Sequence, residues 1–151
     1  MRFLLVDHIT DWQSESFIKG VKNIAMSEDY LEFHFPKTPV VPGVLLLEAM
    51  AQLAGWFEAK ASDFKRWMLM NKITKGSFYG FALPGDQVEM EVRPLVAVGT
   101  KKRAYQGIAG IGGRKAVRAE FEGEVVELSQ LEDIAEQKRF FEILTRQFRL
   151  E

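Results

Sequence analysis

Few residues in this chain are equipped to move protons. Its 151 residues include no cysteine and only two histidines, His8 and His34. Thiolate nucleophiles, disulfide frameworks and sulfur-ligated zinc or iron–sulfur centres are therefore excluded. A multi-histidine metal site cannot be built from one chain either, and an elimination run by a base, an acid and backbone donors needs no metal and no organic cofactor. Acid–base chemistry remains, with a short list of candidates. His34 precedes the segment Pro36-Lys37-Thr38-Pro39-Val40-Val41-Pro42-Gly43, and a neutral imidazole aimed at the apolar stretch beyond that segment would serve as a general base. Glu48 lies among Leu45, Leu46, Leu47, Ala49, Met50 and Ala51. A carboxylate buried there without a partner is costly. Either it is held protonated, as a general acid needs, or it meets a structural Arg or Lys from another element. Gly43 and Val44 open the same apolar stretch. As the first turn of a helix they offer free N–H groups and the positive end of the dipole, which polarise a carbonyl and stabilise an enolate. Base, acid and oxyanion donor would then stand together. His8 lacks such a context and reads as structural.

The elements that must position these groups are set by pattern. Three prolines at a spacing of three keep residues 36–42 extended and forbid helix there. From Gly43 to Ala61 the composition turns to helix formers, with Pro42 at a place where a missing N–H is no loss. Nearly every face of its first three turns is apolar, so this helix should be wrapped, not laid on a surface. Strands are expected over Ser16–Ile24, Tyr30–Phe35, Trp67–Ile73, Val88–Val98, Arg103–Ile111 and Lys115–Leu128. Turns fall at Gly85-Asp86, Val98-Gly99-Thr100 and Gly112-Gly113. Strands in succession without intervening helices favour an antiparallel sheet. The fold class is α+β: one long buried helix enclosed by antiparallel sheet. Ser129 with Glu132 fits a capping box, and Leu131, Ile134, Phe141, Leu144 and Phe148 share one helical face. Residues 129–151 thus read as an amphipathic helical extension, packed on the body of residues 1–128 or on a partner subunit.

Composition limits the partners. Lys and Arg total 20 and Asp and Glu total 21, giving a net charge of −1, against a nucleic-acid binder carried by a broad basic field. No stretch reaches the length of uninterrupted apolar residues that a membrane span needs, and no targeting signal is visible, so a cytoplasmic protein is expected.

The run His34-Phe35-Pro36-Lys37-Thr38-Pro39-Val40-Val41-Pro42-Gly43-Val44-Leu45-Leu46-Leu47-Glu48-Ala49-Met50-Ala51-Gln52 resembles the signature H-F-P-x-x-P-x-x-P-G-V-L-x-x-E-A-x-A-Q of the (3R)-hydroxyacyl-acyl-carrier-protein dehydratases, matching every fixed position. Weaker similarity runs from Leu4 to Val126, through Ile73, Lys75 and Phe78 and the turn Leu83-Pro84-Gly85-Asp86-Gln87. The resemblance implies the hot-dog fold, a central helix in a curled antiparallel sheet. It implies that His34 abstracts the α-proton of a β-hydroxyacyl thioester and that Glu48 protonates or orients the departing hydroxyl. The Gly43 N–H would hold the thioester carbonyl and Gln52 would position the carboxylate. It further implies a homodimer or dimer-based hexamer with active sites shared across the interface, acyl carrier protein as partner, and an apolar tunnel, for which Phe35, Val41, Val44, Met50 and Phe78 are candidate lining residues.

The sequence departs from that family in three places. Phe33 and Lys37 stand where glycines flank the motif, Tyr79-Gly80-Phe81 replaces a basic run, and the C-terminal extension is extra. Basic residues at Lys101, Lys102, Arg103, Arg114 and Lys115 offer a local patch for an acidic carrier protein. Two other readings fit the same fold: an acyl thioesterase, and a non-catalytic subunit that binds acyl thioesters.

Overall fold

The structure, a computed structural model, describes residues 3–95 and 99–147. Six strands form one sheet: β1 (His8–Gln13), β2 (Phe17–Asn23), β3 (Arg66–Phe78), β4 (Gln87–Pro94), β5 (Lys102–Ile111) and β6 (Arg114–Glu127). Their spatial order is β1-β2-β4-β5-β6-β3, and every pairing is antiparallel. Helix α1 (Gly43–Ala61) packs on β2 to β6, and α2 (Ile134–Leu144) comes after β6 in the chain. A long central helix held in a curled antiparallel sheet is the hot-dog architecture, as expected.

Helix and sheet approach closely because small residues face large ones. A side chain at Gly55 of α1 would run into the Trp67 ring, which also meets Trp56 edge-on at 5.0 Å. On β5, a Cβ at Gly107 would come within 2.7 Å of the Met50 sulfur. These contacts seat α1 over the concave face, with Met50, Leu53 and Ala54 excluded from solvent. Gly43–Ala61 begins and ends where its composition predicts, with Pro42 just outside it as the residue before the first turn.

Several elements differ from the sequence expectation. Residues Tyr30–Phe35 do not form a strand. Leu31 N–H bonds Glu28 C=O and Glu32 N–H bonds Asp29 C=O, so the backbone closes a 3-10 turn over Asp29–Leu31 and needs no neighbouring strand. Strand β1 is not visible in the sequence pattern, because its mixed polar residues at a sheet edge carry little periodicity. Strand β3 runs on to Phe78, five residues past the expected end at Ile73. Strand β4 ends at Pro94, and residues 96–98 of the expected Val88–Val98 strand lie outside the described residues.

The extension is capped elsewhere too. Leu128 N–H bonds Lys65 C=O, a 3-10 turn takes up Leu128–Gln130, and Asp133 caps α2 by accepting from Glu136 N–H at 2.9 Å. The same acid-at-three spacing recurs four residues later, which is why the sequence points to Ser129 and Glu132. Leu131 is exposed ahead of the helix, and Phe148 lies outside the described residues. Helix α2 packs on this same chain: Phe141 meets Trp12 at 5.5 Å and Phe64 at 5.4 Å, and Phe140 meets Trp56 at 5.7 Å.

Candidate active site

His34 sits in the irregular segment between β2 and α1, half-buried, and two contacts with Val40 fix it. Its Nδ1 lies 2.8 Å from Val40 C=O, and its own C=O accepts from Val40 N–H at 2.8 Å. A carbonyl only accepts, so Nδ1 carries the proton and Nε2 is left with the lone pair. Sequence-local geometry has thus chosen the tautomer that a general base needs. The ring stacks on Phe35, with centroids 4.5 Å apart, and the His34–Phe35 peptide is cis. Pro36 and Lys37 form the tip of a tight turn in which Phe35 and Thr38 exchange both backbone hydrogen bonds. Neither Phe33 nor Lys37 takes a positive φ, so the backbone does not require the family's glycines at those places, and the Phe33 ring points away from the core at 77% exposure.

Glu48 is half-buried, not enclosed as the apolar run around it suggests. Glu48 shares a stripe of α1 with exposed Val44, one turn before it, so this stripe is not fully covered. Among the described residues the partner of Glu48 is neither Arg nor Lys but Gln52, one turn on, whose amide donates to Glu48 Oε1 at 3.1 Å. The same amide nitrogen donates to Phe3 C=O at 3.0 Å, while Gln52 Oε1 accepts from Leu5 N–H at 3.0 Å. Those two backbone groups admit only one orientation of the amide, so a donor is held ready for the carboxylate. The N-terminal segment that supplies them is anchored in turn by buried Lys22, whose ammonium pairs with Asp7 at 3.2 Å and Glu28 at 2.8 Å.

The start of α1 has no side-chain cap and no acidic residue in its first turn. Leu45 N–H bonds Pro42 C=O, whereas the N–H groups of Gly43 and Val44 have no acceptor among the described residues. A Cβ at Gly43 would lie 2.6 Å from the Phe78 ring, so glycine lets the end of β3 close over the helix terminus. Phe35, Val44 and Phe78 are open to solvent on this face, while Val41 and Met50 are closed in the core at 4% and 0% exposure. Of the basic residues, Lys115 lies over the Tyr79 ring at 5.6 Å beside this mouth. Arg103 is not free: it donates to a carboxylate that sequence reasoning missed, Glu58. Glu58 is 5% exposed and also accepts from the Tyr105 hydroxyl, and burial together with that acceptor pushes the Tyr105 phenol well above its ordinary range. The signal is present as Glu58 between Phe57 and Ala59, with Arg103 and Tyr105 two apart on one face of a strand.

Comparison with known proteins places this geometry. The model of the FabA-like domain matches residues 1–126. The 3-hydroxyacyl-[acyl-carrier-protein] dehydratase FabZ of Nitratidesulfovibrio vulgaris is 38% identical over 120 residues, 78% of this chain and 77% of that protein. The FabZ of Proteus mirabilis is 35% identical over 129 residues, 78% of this chain and 80% of that protein. Among solved structures, the dehydratase heterocomplex ApeI:P of Xenorhabdus doucetiae superposes with a TM-score of 0.58 at 13% identity, over 76% of this chain and 92% of that one. A mutant of the fluoroacetyl-CoA-specific thioesterase FlK gives 0.62 at 13% identity, over 85% of this chain and 98% of that one. At such identities these structures speak for the fold alone.

Proposed function

The chain belongs to the family of the FabA-like domain, and from that premise we propose that it removes water from 3-hydroxyacyl thioesters on acyl carrier protein, giving 2-enoyl thioesters for fatty acid biosynthesis. The observation that carries the mechanism is the Nδ1 contact of His34 with Val40 C=O, because it leaves Nε2 as a proton acceptor, and the helix that follows in the chain starts without a cap. Nε2 takes the α-proton, and the C–H electron pair moves toward the thioester carbonyl, whose oxygen accepts from Gly43 N–H. That pair then forms the Cα–Cβ double bond as the Cβ–O bond breaks, and the leaving hydroxyl, oriented by Glu48, takes up the proton that Nε2 accepted and departs as water. Gln52 holds Glu48 in place through the amide bond. Phe35, Val44 and Phe78 would line the entry for the acyl chain, with Val41 and Met50 packed behind them. Lys115 beside Tyr79 would meet the acidic carrier protein. We take the cytoplasm as the compartment, in keeping with a chain free of cysteine. Incubation with a 3-hydroxyacyl carrier-protein substrate should yield enoyl product without free thiol; thiol release without water loss would convert the reading to a thioesterase.

The active unit we propose is a homodimer in which His34 of one protomer faces Glu48 of the other. Strand β3 supports this. Among the described residues it is an edge strand, hydrogen-bonded only to β6, and its exposed residues include Leu69, Ile73 and Phe78. A long edge strand with exposed apolar side chains among its polar ones is a template for pairing with a second chain. Ile73→Lys places a charge on that edge and should give a monomer in sedimentation, with dehydration at least tenfold slower. A dimer of undiminished activity would refute this interface.

A further inference from the structure

We propose that Lys22 is a positioning residue for catalysis. Through Asp7 its ammonium fixes the backbone that aims Gln52 at Glu48, and through Glu28 it fixes the turn that leads to His34; this rests on the dehydratase reading. Among the described residues, 3–6 belong to no strand or helix, and Phe3 and Leu4 are exposed. Sheet pairing therefore does not hold Phe3 C=O and Leu5 N–H, the two groups that bond the Gln52 amide. Leu5 and Val6 are buried, yet apolar burial is non-directional and does not set where those groups point. The segment meets the sheet at Asp7. Its N–H donates to Val21 C=O at 2.8 Å, and its Oδ2 accepts from Asn23 N–H at 2.7 Å. Lys22, buried between those two residues on β2, pairs with the same Oδ2 at 3.2 Å.

The second partner of Lys22 leads the other way. Glu28, 2.8 Å from the ammonium, stands at the head of the 3-10 turn Asp29–Leu31, and its C=O accepts from Leu31 N–H at 3.0 Å. Leu31 is buried, and His34 follows it by three residues. One side chain thus ties the stretch that precedes the base to the stretch that clamps Glu48. In the homodimer proposed above, each Lys22 would serve the base of one site and the carboxylate of the other. Replacing a buried ion pair by apolar side chains of similar volume is often neutral for stability. Stability alone therefore does not call for these charges; what they supply is direction. The Asp7 and Glu28 side chains keep 35% and 25% exposure, so removing the ammonium leaves neither carboxylate cut off from water.

The test compares Lys22→Met with the triple variant Lys22→Met, Asp7→Asn, Glu28→Gln, which leaves no unpaired charge in the group, on a 3-hydroxyacyl carrier protein. A misplacement of about 1 Å at an active site costs about 10²-fold in rate. Both variants should lose at least tenfold in kcat with KM within about twofold of the original, even where the triple variant regains the melting temperature. Activity that returns together with the melting temperature would mark a purely structural role and overturn the proposal, as would a kcat within threefold of the original in Lys22→Met. Should Lys22→Met not fold, the triple variant carries the same comparison with the unaltered protein. Hydrogen exchange at the Leu5 amide, which donates to Gln52 Oε1, gives a readout independent of turnover. Measured against the Leu53 amide within α1, it should quicken at least tenfold in the variants, and an unchanged ratio would overturn the proposal. Absence of turnover in the unaltered protein would instead sink the dehydratase reading, leaving the Leu5 amide to decide whether Lys22 holds the clamp.

Discussion

His34→Asn is expected to fold normally and to lose dehydratase activity by about 10²–10⁴-fold in kcat/KM, the usual contribution of a positioned general base. Asparagine is the informative replacement because its amide nitrogen falls near the position of imidazole Nδ1. It can keep donating to Val40 C=O, the contact that ties the loop at 2.8 Å, while removing the lone pair at Nε2. A fold defect would show itself as a lower melting temperature. The expected variant melts with the unaltered protein and still binds the thioester, so the loss sits in kcat and not in KM. Activity within threefold of the original would mean that the proton leaves to another group, and no other histidine competes: His8 lies on β1, within the sheet edge opposite β3.

The central helix and the spacing of the site residues are legible in the sequence because both are local. Three prolines end extended backbone where Gly43 begins a helix, and a helix whose first three turns are apolar on nearly every face calls for a sheet to cover it. What is not legible depends on which side of that helix the sheet covers. The apolar neighbours of Glu48 suggest enclosure, yet the carboxylate on the covered side is Glu58, where the chain supplies Arg103 and Tyr105 from β5. A periodicity argument sees both as a Glu in a greasy helix. The packing of α1 on β5 decides which one is reached, because it brings Arg103 and Tyr105 to Glu58. The Gln52 clamp is foreseeable toward Glu48 but not toward the N-terminal segment, since Phe3 and Leu5 are 49 and 47 residues away in sequence.

The buried Glu58 leads to the largest stability effect expected of a single substitution. Its Oε1 accepts from Arg103 Nε at 3.0 Å and from the Tyr105 hydroxyl, and both Glu58 and Tyr105 are cut off from water. Arg103 also donates from Nη1 to Thr100 C=O at 3.2 Å and Lys102 C=O at 3.1 Å, so the guanidinium joins the β4–β5 turn to the C-terminal half of α1. Arg103→Met removes the charge and leaves the carboxylate stranded, at a cost of about 3–5 kcal/mol. At roughly 2–4 °C per kcal/mol for a chain of this size, the melting temperature should drop by about 10 °C. Burying a charge pair costs as well as stabilises. Removing the whole group together, as Glu58→Met, Arg103→Met and Tyr105→Phe, should therefore destabilise less than Arg103→Met alone. A single substitution costing under about 1 kcal/mol would show that solvent still reaches Glu58, contrary to its burial. Alkaline titration gives an independent reading. The folded state holds the Tyr105 proton more tightly than the unfolded chain does, so stability is intact below the ordinary phenol range and falls as pH rises through about 10. Tyr105→Phe should remove its share of that alkaline loss, and an unchanged alkaline slope would mean that other groups govern it.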